Sequence, residues 1–368
     1  MSSISATSIP VLQYNAIELK QWIKGQALAL GFADCVIAKP DAQEQMPRFE
    51  EYLKRGYHAD MHYLEENLDK RADPKLLVPG TKSIICVRMN YLVETPKPRY
   101  VPDEPNSAII ARYARGRDYH KIMRGRLKTL ASKIREKVGE FESRPFADSA
   151  PIFEKALAES AGMGWTGKHT LLIHKKSGSF FVLGELFTSL DLPFDEPATA
   201  HCGSCSACID ICPTQAIVEP YMLDARKCIA YLTIEYKGII PEELRIGIGN
   251  RIFGCDDCQL ICPWNSFAKK ASISDFHPRH GLDNISLLEI WQWDESTFLG
   301  NTEGSPIRRT GYQSFKRNIA IGLGNAPYSE LIIAQLLQAK SQHDEIVNVH
   351  IDWAIEQQLV KQLASQQK

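Results

Sequence analysis

The sequence predicts an α/β domain, then a cysteine-rich module, then a helical C-terminal region. Three observations support this fold class. Strand-like and helix-like segments alternate up to about residue 192, eight cysteines fall between Cys202 and Cys262, and apolar residues beyond Ile285 recur at helical spacing. We therefore expect three domains, over residues 1–192, 193–268 and 285–368.

The composition is that of an ordinary globular protein. The chain has 368 residues, 44% hydrophobic and 24% charged, with a formal net charge of −1. A polyanionic partner must therefore be met by a local basic patch. Residues 1–10 lack the features of a signal peptide, and no run of 18 apolar residues occurs. Because we also expect Cys35 and Cys86 to be buried, reduced thiols, these features favour a cytoplasmic protein.

Apolar spacing and end signals give the elements of the first domain in order. Asn15 and Glu18 form a capping signal for the first helix, which Gly31 is expected to end. The predicted elements are a helix to Leu30, a strand over 32–38, a helix over 47–68, a central strand over 82–92, a proline-rich surface excursion over 90–106, a strand over 108–114, a helix over 119–138, a strand over 144–147, a helix over 151–161, and a hairpin joining 170–174 to 180–188.

Three features of this domain leave structural and functional interpretations open. The helix over 119–138 carries seven basic side chains and one acid, Glu136, which suits a solvated face or a surface for a polyanion. The glycine-rich loop over 162–168 suits a plain turn or a bulky cofactor packed against backbone. Asp148 lies where a strand ends and a helix begins, so it either caps the helix or projects into a cleft above the sheet edge.

The cysteine-rich module carries the most specific motif. Its two near-copies of one pattern each end in Cys-Pro, at Cys212 and Cys262, and Cys228 stands between them. A loop of this spacing delivers three thiolates to a 4Fe-4S cube, and the remaining cysteine goes to the other cube. The predicted ligand sets are Cys202, Cys205, Cys208 and Cys262 for one cluster, and Cys212, Cys228, Cys255 and Cys258 for the other. This spacing is unusual for structural zinc, and disulfides need an oxidising compartment.

Two clusters only move electrons, so the domain in front of them is expected to hold an acceptor. No GxGxxG follows the first strand, which disfavours a nicotinamide or flavin bound in a Rossmann fold. Seven short segments are more informative: KRADP at 70–74, PGTKS at 79–83, YARGRDYH at 113–120, DSAP at 148–151, GWTGK at 164–168, LGEL at 183–186 and RNIAIGLGN at 317–325. In this order, together with the cysteines, they resemble the epoxyqueuosine reductase family over about residues 15–330.

The resemblance implies a cobalamin-dependent oxidoreductase that catalyses the last step of queuosine biosynthesis, reducing epoxyqueuosine at the wobble position of tRNA to queuosine. It implies that the first domain binds cobalamin in a fold similar to that of reductive dehalogenases, and that Asp148 donates a proton. Reduced cobalt is a strong nucleophile, and the opened epoxide oxygen needs an acid within hydrogen-bonding reach. We expect burial to raise the pKa of Asp148 so that it stays protonated near neutral pH.

The resemblance also suggests the cofactor contacts. Asp118 and His120 begin a motif that places a histidine under cobalt in other families, but Met123 stands where its glycine belongs. Base-off cobalamin without a histidine ligand is therefore expected. The expected contacts are Arg71, Tyr113, Asp148, Lys168, His169, Thr170 and Ser179.

The C-terminal region is expected to hold the tRNA. Helices over 314–324, 329–339 and 344–364 resemble the start of a HEAT-like repeat. The expected tRNA contacts are Arg308, Arg309, Lys316 and Arg317, whose alternative role is surface solubility. We expect a monomer that receives electrons from a low-potential donor. A reductive dehalogenase would have no use for these helices, and a ferredoxin-type electron carrier, the alternative from another class, would bind no corrinoid.

Overall fold

A computed structural model describes residues 14–93, 104–340 and 342–366. The helices of these residues are α1 (Ala16–Ala29), α2 (Met46–Lys54), α3 (Leu68–Ala72), α4 (Pro74–Leu77), α5 (Tyr119–Val138), α6 (Glu154–Ser160), α7 (Ala207–Asp210), α8 (Ile229–Ile234), α9 (Glu242–Ile248), α10 (Asp257–Leu260), α11 (Leu287–Trp291), α12 (Glu295–Asn301), α13 (Tyr312–Asn325), α14 (Glu330–Ala339) and α15 (Glu345–Gln366). The strands are β1 (Asp34–Ala38), β2 (Ser83–Asn90), β3 (Ile109–Ile110), β4 (Ser143–Phe146), β5 (Trp165–Thr166), β6 (Leu172–Ile173), β7 (Phe181–Thr188), β8 (Ile217–Glu219), β9 (Met222–Leu223) and β10 (Arg251–Phe253).

A four-stranded antiparallel sheet, ordered β1-β2-β7-β4, is the centre of the first domain. Its two central strands are apolar runs buried on both faces, as predicted for β2. Helices α1 and α5 cover one face, where a Cβ at Gly184 would lie only 2.5 Å from Met123 Cγ. Helix α6 covers the other face, packing Leu157 against Phe187 and Ile84. The residues that follow β4 are therefore held at the edge of a two-sided core.

The cysteine module and the C-terminal helices share one core. Strand β3, from before α5, pairs in parallel with β10 of the cysteine module. Ile110 and Ile252 lie in the same buried cluster as Phe315 of α13 and Trp353 of α15. These two predicted domains therefore pack as one unit, and a short strand ties the first domain to them.

Several predicted elements are confirmed. Asn15 accepts hydrogen bonds from the amides of Ile17 and Glu18 at the start of α1, and α5 spans the predicted residues, with Asp118 as its cap. The three C-terminal helices lie within two residues of the predicted bounds. Cys35 and Cys86 are buried free thiols.

Four predicted elements of the first domain are wrong in part. The helix over 47–68 ends at Lys54, because Gly56 and Ala59 adopt positive φ angles. The strand over 108–114 shortens to β3, followed by a 3-10 turn. The helix over 151–161 begins only at Glu154, because tight turns occupy the preceding residues. The hairpin is reduced to an antiparallel bridge between His174 and Gly178, because β6 pairs with β5 and β7 lies between β2 and β4.

Of the proline-rich excursion, residues 94–103 lie outside the described residues. In the described part of the chain, no helix has both the length and the apolar character needed to cross a bilayer.

Candidate active site and cysteine module

Asp148 occupies a strained loop between β4 and α6. Its φ of 59° is in the left-handed region, which non-glycine residues rarely adopt. The Asp148 amide donates to Glu154 Oε1 at 2.6 Å, and its side chain is 55% exposed. The first residue outside α6 is Phe153, which makes no side-chain cap, so the alternative of a helix-capping Asp148 is excluded.

His120 joins Asp148 to a second carboxylate. His120 Nε2 lies 3.0 Å from Asp148 Oδ2, and His120 Nδ1 lies 2.5 Å from Asp118 Oδ1. Asp118 is fixed in turn because it caps α5, accepting from the His120 amide. The imidazole is buried, and both of its nitrogens therefore face carboxylate oxygens.

The pKa values of this group correct one expectation. Burial alone would lower the pKa of His120, but its hydrogen bonds with Asp118 and Asp148 raise it. The same hydrogen bond to His120 outweighs burial at Asp148 and lowers the pKa of that carboxyl. The expectation that burial raises the pKa of Asp148 is therefore wrong, and of the two groups the imidazole holds the proton in preference to the Asp148 carboxylate.

The C-terminal region also reaches this site. Arg309, just before α13, places Nη2 at 3.1 Å from His120 Nδ1 and 3.6 Å from Asp118 Oδ2. The Tyr119 ring stacks on His120 at 4.0 Å between ring centroids. Four residues of this site were not predicted to act here: Asp118, His120, Glu154 and Arg309. The YARGRDYH segment was the available signal for two of them, but only the fold shows what they contact.

The cysteines form two neighbourhoods. Cys202, Cys205, Cys208 and Cys262 line one cavity of about 320 Å³, and Cys262 comes from the second motif. Burial, then the charges of Cys262, Cys202 and Cys205, raise the pKa of Cys208 to about 11. In the other neighbourhood, burial, then the charges of Cys255, Cys228 and Cys208, raise the pKa of Cys258, and burial, together with the charge of Cys212, raises the pKa of Cys228, so the two neighbourhoods adjoin. Each neighbourhood thus offers four sulfur donors.

The predicted cofactor contacts differ in the residues that surround them. Lys168 and His169 line the cysteine cavity, and Lys168 Nζ donates to the carbonyls of Gly203 and Cys205 at 2.7 and 2.8 Å. Ser179 is buried and bonded to Asn265 and Gln259 of the cysteine module.

Besides Asp148, which is described above, three predicted contacts remain. Tyr113 packs against Tyr119, beside the Asp148 site, and Arg71 is buried and donates to the carbonyls of Tyr63 and Glu66. Thr170 has a φ of 68°, and its carbonyl accepts from Lys155 Nζ at 2.8 Å.

The predicted tRNA contacts need a correction. Arg308 and Arg309 are exposed, but Lys316 and Arg317 are buried. Lys316 Nζ lies 4.0 Å from the centre of the Trp291 ring, and Arg317 donates to three backbone carbonyls of the cysteine module. Lys316 and Arg317 are therefore scaffold residues that no tRNA backbone can reach, and the basic patch reduces to Arg308 and Arg309.

Comparison with family models identifies the class of protein. The model described as "Epoxyqueuosine reductase QueG, DUF1730" matches residues 71–149, and the one described as "4Fe-4S double cluster binding domain" matches residues 201–265. The fold and the site therefore define an iron-sulfur oxidoreductase with a 4Fe-4S cluster-binding domain behind a mixed α/β domain.

Comparison with known proteins identifies the family. An epoxyqueuosine reductase of Pseudomonas aeruginosa is 51% identical over 339 residues, which cover 92% of this chain and 94% of the relative. The chain belongs to the epoxyqueuosine reductase family.

Comparison with solved structures points to the same family. A crystal structure of an epoxyqueuosine reductase with an epoxyqueuosine-modified tRNA-Tyr stem loop is 26% identical, with a TM-score of 0.80, and covers 94% of this chain and 100% of that one. A Bacillus subtilis epoxyqueuosine reductase, with its catalytic aspartate loop swung out of the active site, is 25% identical, with a TM-score of 0.79 over 93% and 100% of the two chains.

Proposed function

We propose that this protein reduces epoxyqueuosine in tRNA to queuosine, using cobalamin reduced through two 4Fe-4S clusters, with Asp148 delivering the proton. The observation that carries the proposal is the convergence of Asp118, His120 and Asp148, next to an exposed arginine and beside a module with two sets of four cysteines. Family membership supports the substrate, since a related enzyme has been crystallised with an epoxyqueuosine-modified stem loop.

The residues of the first domain fit a large cofactor that carries amide groups. Trp165 Nε1 and His169 Nε2 are buried without a hydrogen-bond partner among the described residues, and the carbonyl groups of cobalamin side chains could satisfy such donors. Because both nitrogens of His120 already face carboxylates, we propose base-off cobalamin without a histidine ligand. The proposed contacts are Arg71, Tyr113, Lys168, His169, Thr170 and Ser179. Bound cobalamin would supply a strongly nucleophilic, reduced metal.

The chain itself handles the protons. Converting an epoxide to an alkene and water consumes two electrons and two protons, so the site must be recharged with protons within one turnover. The imidazolium of His120 holds a proton at Nε2, and Asp148 Oδ2 accepts it. The half-exposed carboxyl of Asp148 then presents that proton to a substrate oxygen. Arg309, at the same site, can balance the negative charge of the two aspartates.

We propose that each cluster draws ligands from both motifs, as the spacing predicts. The sets are Cys202, Cys205, Cys208 and Cys262 for one, and Cys212, Cys228, Cys255 and Cys258 for the other. We also propose that residues 285–368 form a HEAT-like region that holds the tRNA, with Arg308 and Arg309 on the backbone.

A double substitution tests the ligand sets by iron content. Cys205→Ser with Cys262→Ser should leave about four of about eight irons, because both changes fall on one cluster. The matched pair Cys205→Ser with Cys258→Ser should remove nearly all the iron. The reverse result would refute the proposed sets.

The function is tested by offering two kinds of substrate. Anaerobically reconstituted protein with cobalamin and a reductant is given either epoxyqueuosine-containing tRNA or a halogenated phenol, and products are identified by mass. We expect queuosine from the tRNA and no dehalogenation. Protein that holds its iron but never binds the corrinoid, or that turns over only the halogenated compound, would refute the proposal.

A further inference from the structure

Glu185 is a buried carboxyl group for which the sheet provides no donor. It lies in the middle of β7, between Cys86 on β2 and Phe146 on β4, and is 0% exposed. Both of its carboxyl oxygens lack a hydrogen-bond partner among the described residues. An ionised carboxylate in such surroundings is strongly disfavoured, so Glu185 is expected to hold a proton.

The polar group next to Glu185 is the carboxyl of Glu154. Glu154 begins α6, which packs on the same face of the sheet as Phe187 and Cys86, and the charge of its carboxyl group acts on Glu185. Two facing carboxyl groups cannot both ionise, so they share a proton. Glu154 Oε1 also accepts the Asp148 amide, so Glu154 bridges Glu185 and the Asp148 loop.

The electrostatics agree with a shared proton. Burial, then the charge of Asp148, raises the pKa of Glu154 to about 7, and burial together with Glu154 raises the pKa of Glu185 well above its usual range. The other titratable groups near the pair come from three elements. They are Cys86 on β2, Tyr119 and His120 on α5, and Lys155 on α6.

The Asp148 loop needs such a holding contact. Its left-handed Asp148 is intrinsically unfavourable, and the next two amides make only short-range bonds, from Ser149 to the Ala147 carbonyl and from Ala150 to the Asp148 carbonyl. The contact with Glu154 is the one that ties the Asp148 backbone to a helix.

We propose that Glu154 and Glu185 form a proton-sharing pair that positions the Asp148 loop. Glu185 donates its proton to Glu154, and the carboxylate of Glu154 accepts the Asp148 amide. The pair affects turnover only through Asp148, so that effect rests on the proposed function. The contact that holds the loop does not depend on the proposed function. When Glu154 becomes protonated, the contact weakens and the loop is released.

Hydrogen exchange of the peptide over residues 147–153 tests the hold on the loop, with the kinetics of tRNA turnover beside it. Glu154→Ala should raise exchange in this peptide at least tenfold and lower kcat, with the KM for tRNA little changed. Glu154→Gln should restore most of the protection from exchange and most of kcat, because its amide oxygen can still accept the hydrogen bond from the Asp148 amide. Glu140→Gln, at an exposed acid before β4, is the control and should change neither.

Glu185→Leu keeps the proposal testable if Glu154→Ala fails to fold. Leucine removes the donor that stabilises the ionised form of Glu154, so the pH at which the loop loosens should rise, whereas Glu185→Gln, whose amide still donates, should leave that pH close to the wild-type value. In the wild-type protein, exchange corrected for its intrinsic pH dependence should rise as pH falls through about 7.

Wild-type exchange in Glu154→Ala, or an unshifted midpoint in Glu185→Leu, would overturn the proposal. Exchange is measured without substrate, so a protein that reduced no epoxyqueuosine would refute the proposed function and leave this test intact.

Discussion

Two buried polar clusters of this molecule differ in how well their hydrogen bonds are satisfied. On α13, Arg317 is 0% exposed and donates to the carbonyls of Leu232, Tyr236 and Gly238 and to Asn318 Oδ1. Glu185 is equally buried, but neither of its carboxyl oxygens has a hydrogen-bond partner in the part of the chain that the structure describes, and it lies behind a loop with a strained backbone. Buried groups with complete hydrogen bonds stabilise the scaffold, whereas unsatisfied and strained groups are typical of working sites.

Asp148→Asn should show the largest effect, and it should affect only the rate of the reaction. The amide cannot take a proton from His120 and pass it on, so kcat should fall about 10²- to 10⁴-fold. Iron content, corrinoid binding and thermal stability should stay at wild-type values. A wild-type kcat with both cofactors in place would remove Asp148 from the chemistry.

Arg317→Met should lower the stability of the fold and leave the rate of the reaction unchanged. It leaves three carbonyls of the cysteine module without their donor and should cost about 3–5 kcal/mol in the free energy of unfolding. We expect the folded fraction to keep its kcat. Arg308→Met, at an exposed arginine, should change stability by less than about 0.5 kcal/mol. Equal stabilities of the two variants would contradict a scaffold role for Arg317.

Asp118→Asn should move the pH profile. The two carboxylates raise the pKa of His120, so the imidazolium, and the stability its contacts contribute, are present at low pH and lost as pH rises through that raised pKa. Removing one carboxylate lowers the pKa, so the alkaline limb of kcat should move about one unit to lower pH. Asp352→Asn, at an exposed position of α15, is the control. An unmoved limb would show that His120 does not supply the proton.

Replacing Arg308 and Arg309 with serine should give the smallest effect on tRNA binding, a weaker salt dependence, which is measured by binding alone because Arg309 also lies beside His120 and Asp118. Two lost backbone contacts should reduce the slope of log affinity against log salt by roughly 1.5. Lys121→Ser with Lys128→Ser, at exposed positions of α5, tests the polyanion interpretation of that helix. If only the α5 pair changes the slope, the tRNA backbone lies along α5 instead.

The sequence predicted what depends on neighbouring residues. The apolar stripe of α5 lies within one segment, and the cysteine spacing is a local pattern. Arg317 is buried because it donates to carbonyls about 80 residues away in the sequence. The basic residues near it in the sequence indicated an exposed side chain, and that prediction was wrong. The direction of the Asp148 pKa shift depends on His120, which only the fold brings to it.

The central claim is that this chain reduces epoxyqueuosine with electrons delivered through cobalamin. It is tested most directly by a single-turnover reaction, with reduced protein in excess over epoxyqueuosine-containing tRNA and the nucleosides resolved by mass. We predict that protein loaded with both clusters and cobalamin converts the nucleoside to queuosine, and that the same protein without cobalamin leaves it unchanged. Full conversion without cobalamin, or none with both cofactors bound and reduced, would contradict the claim.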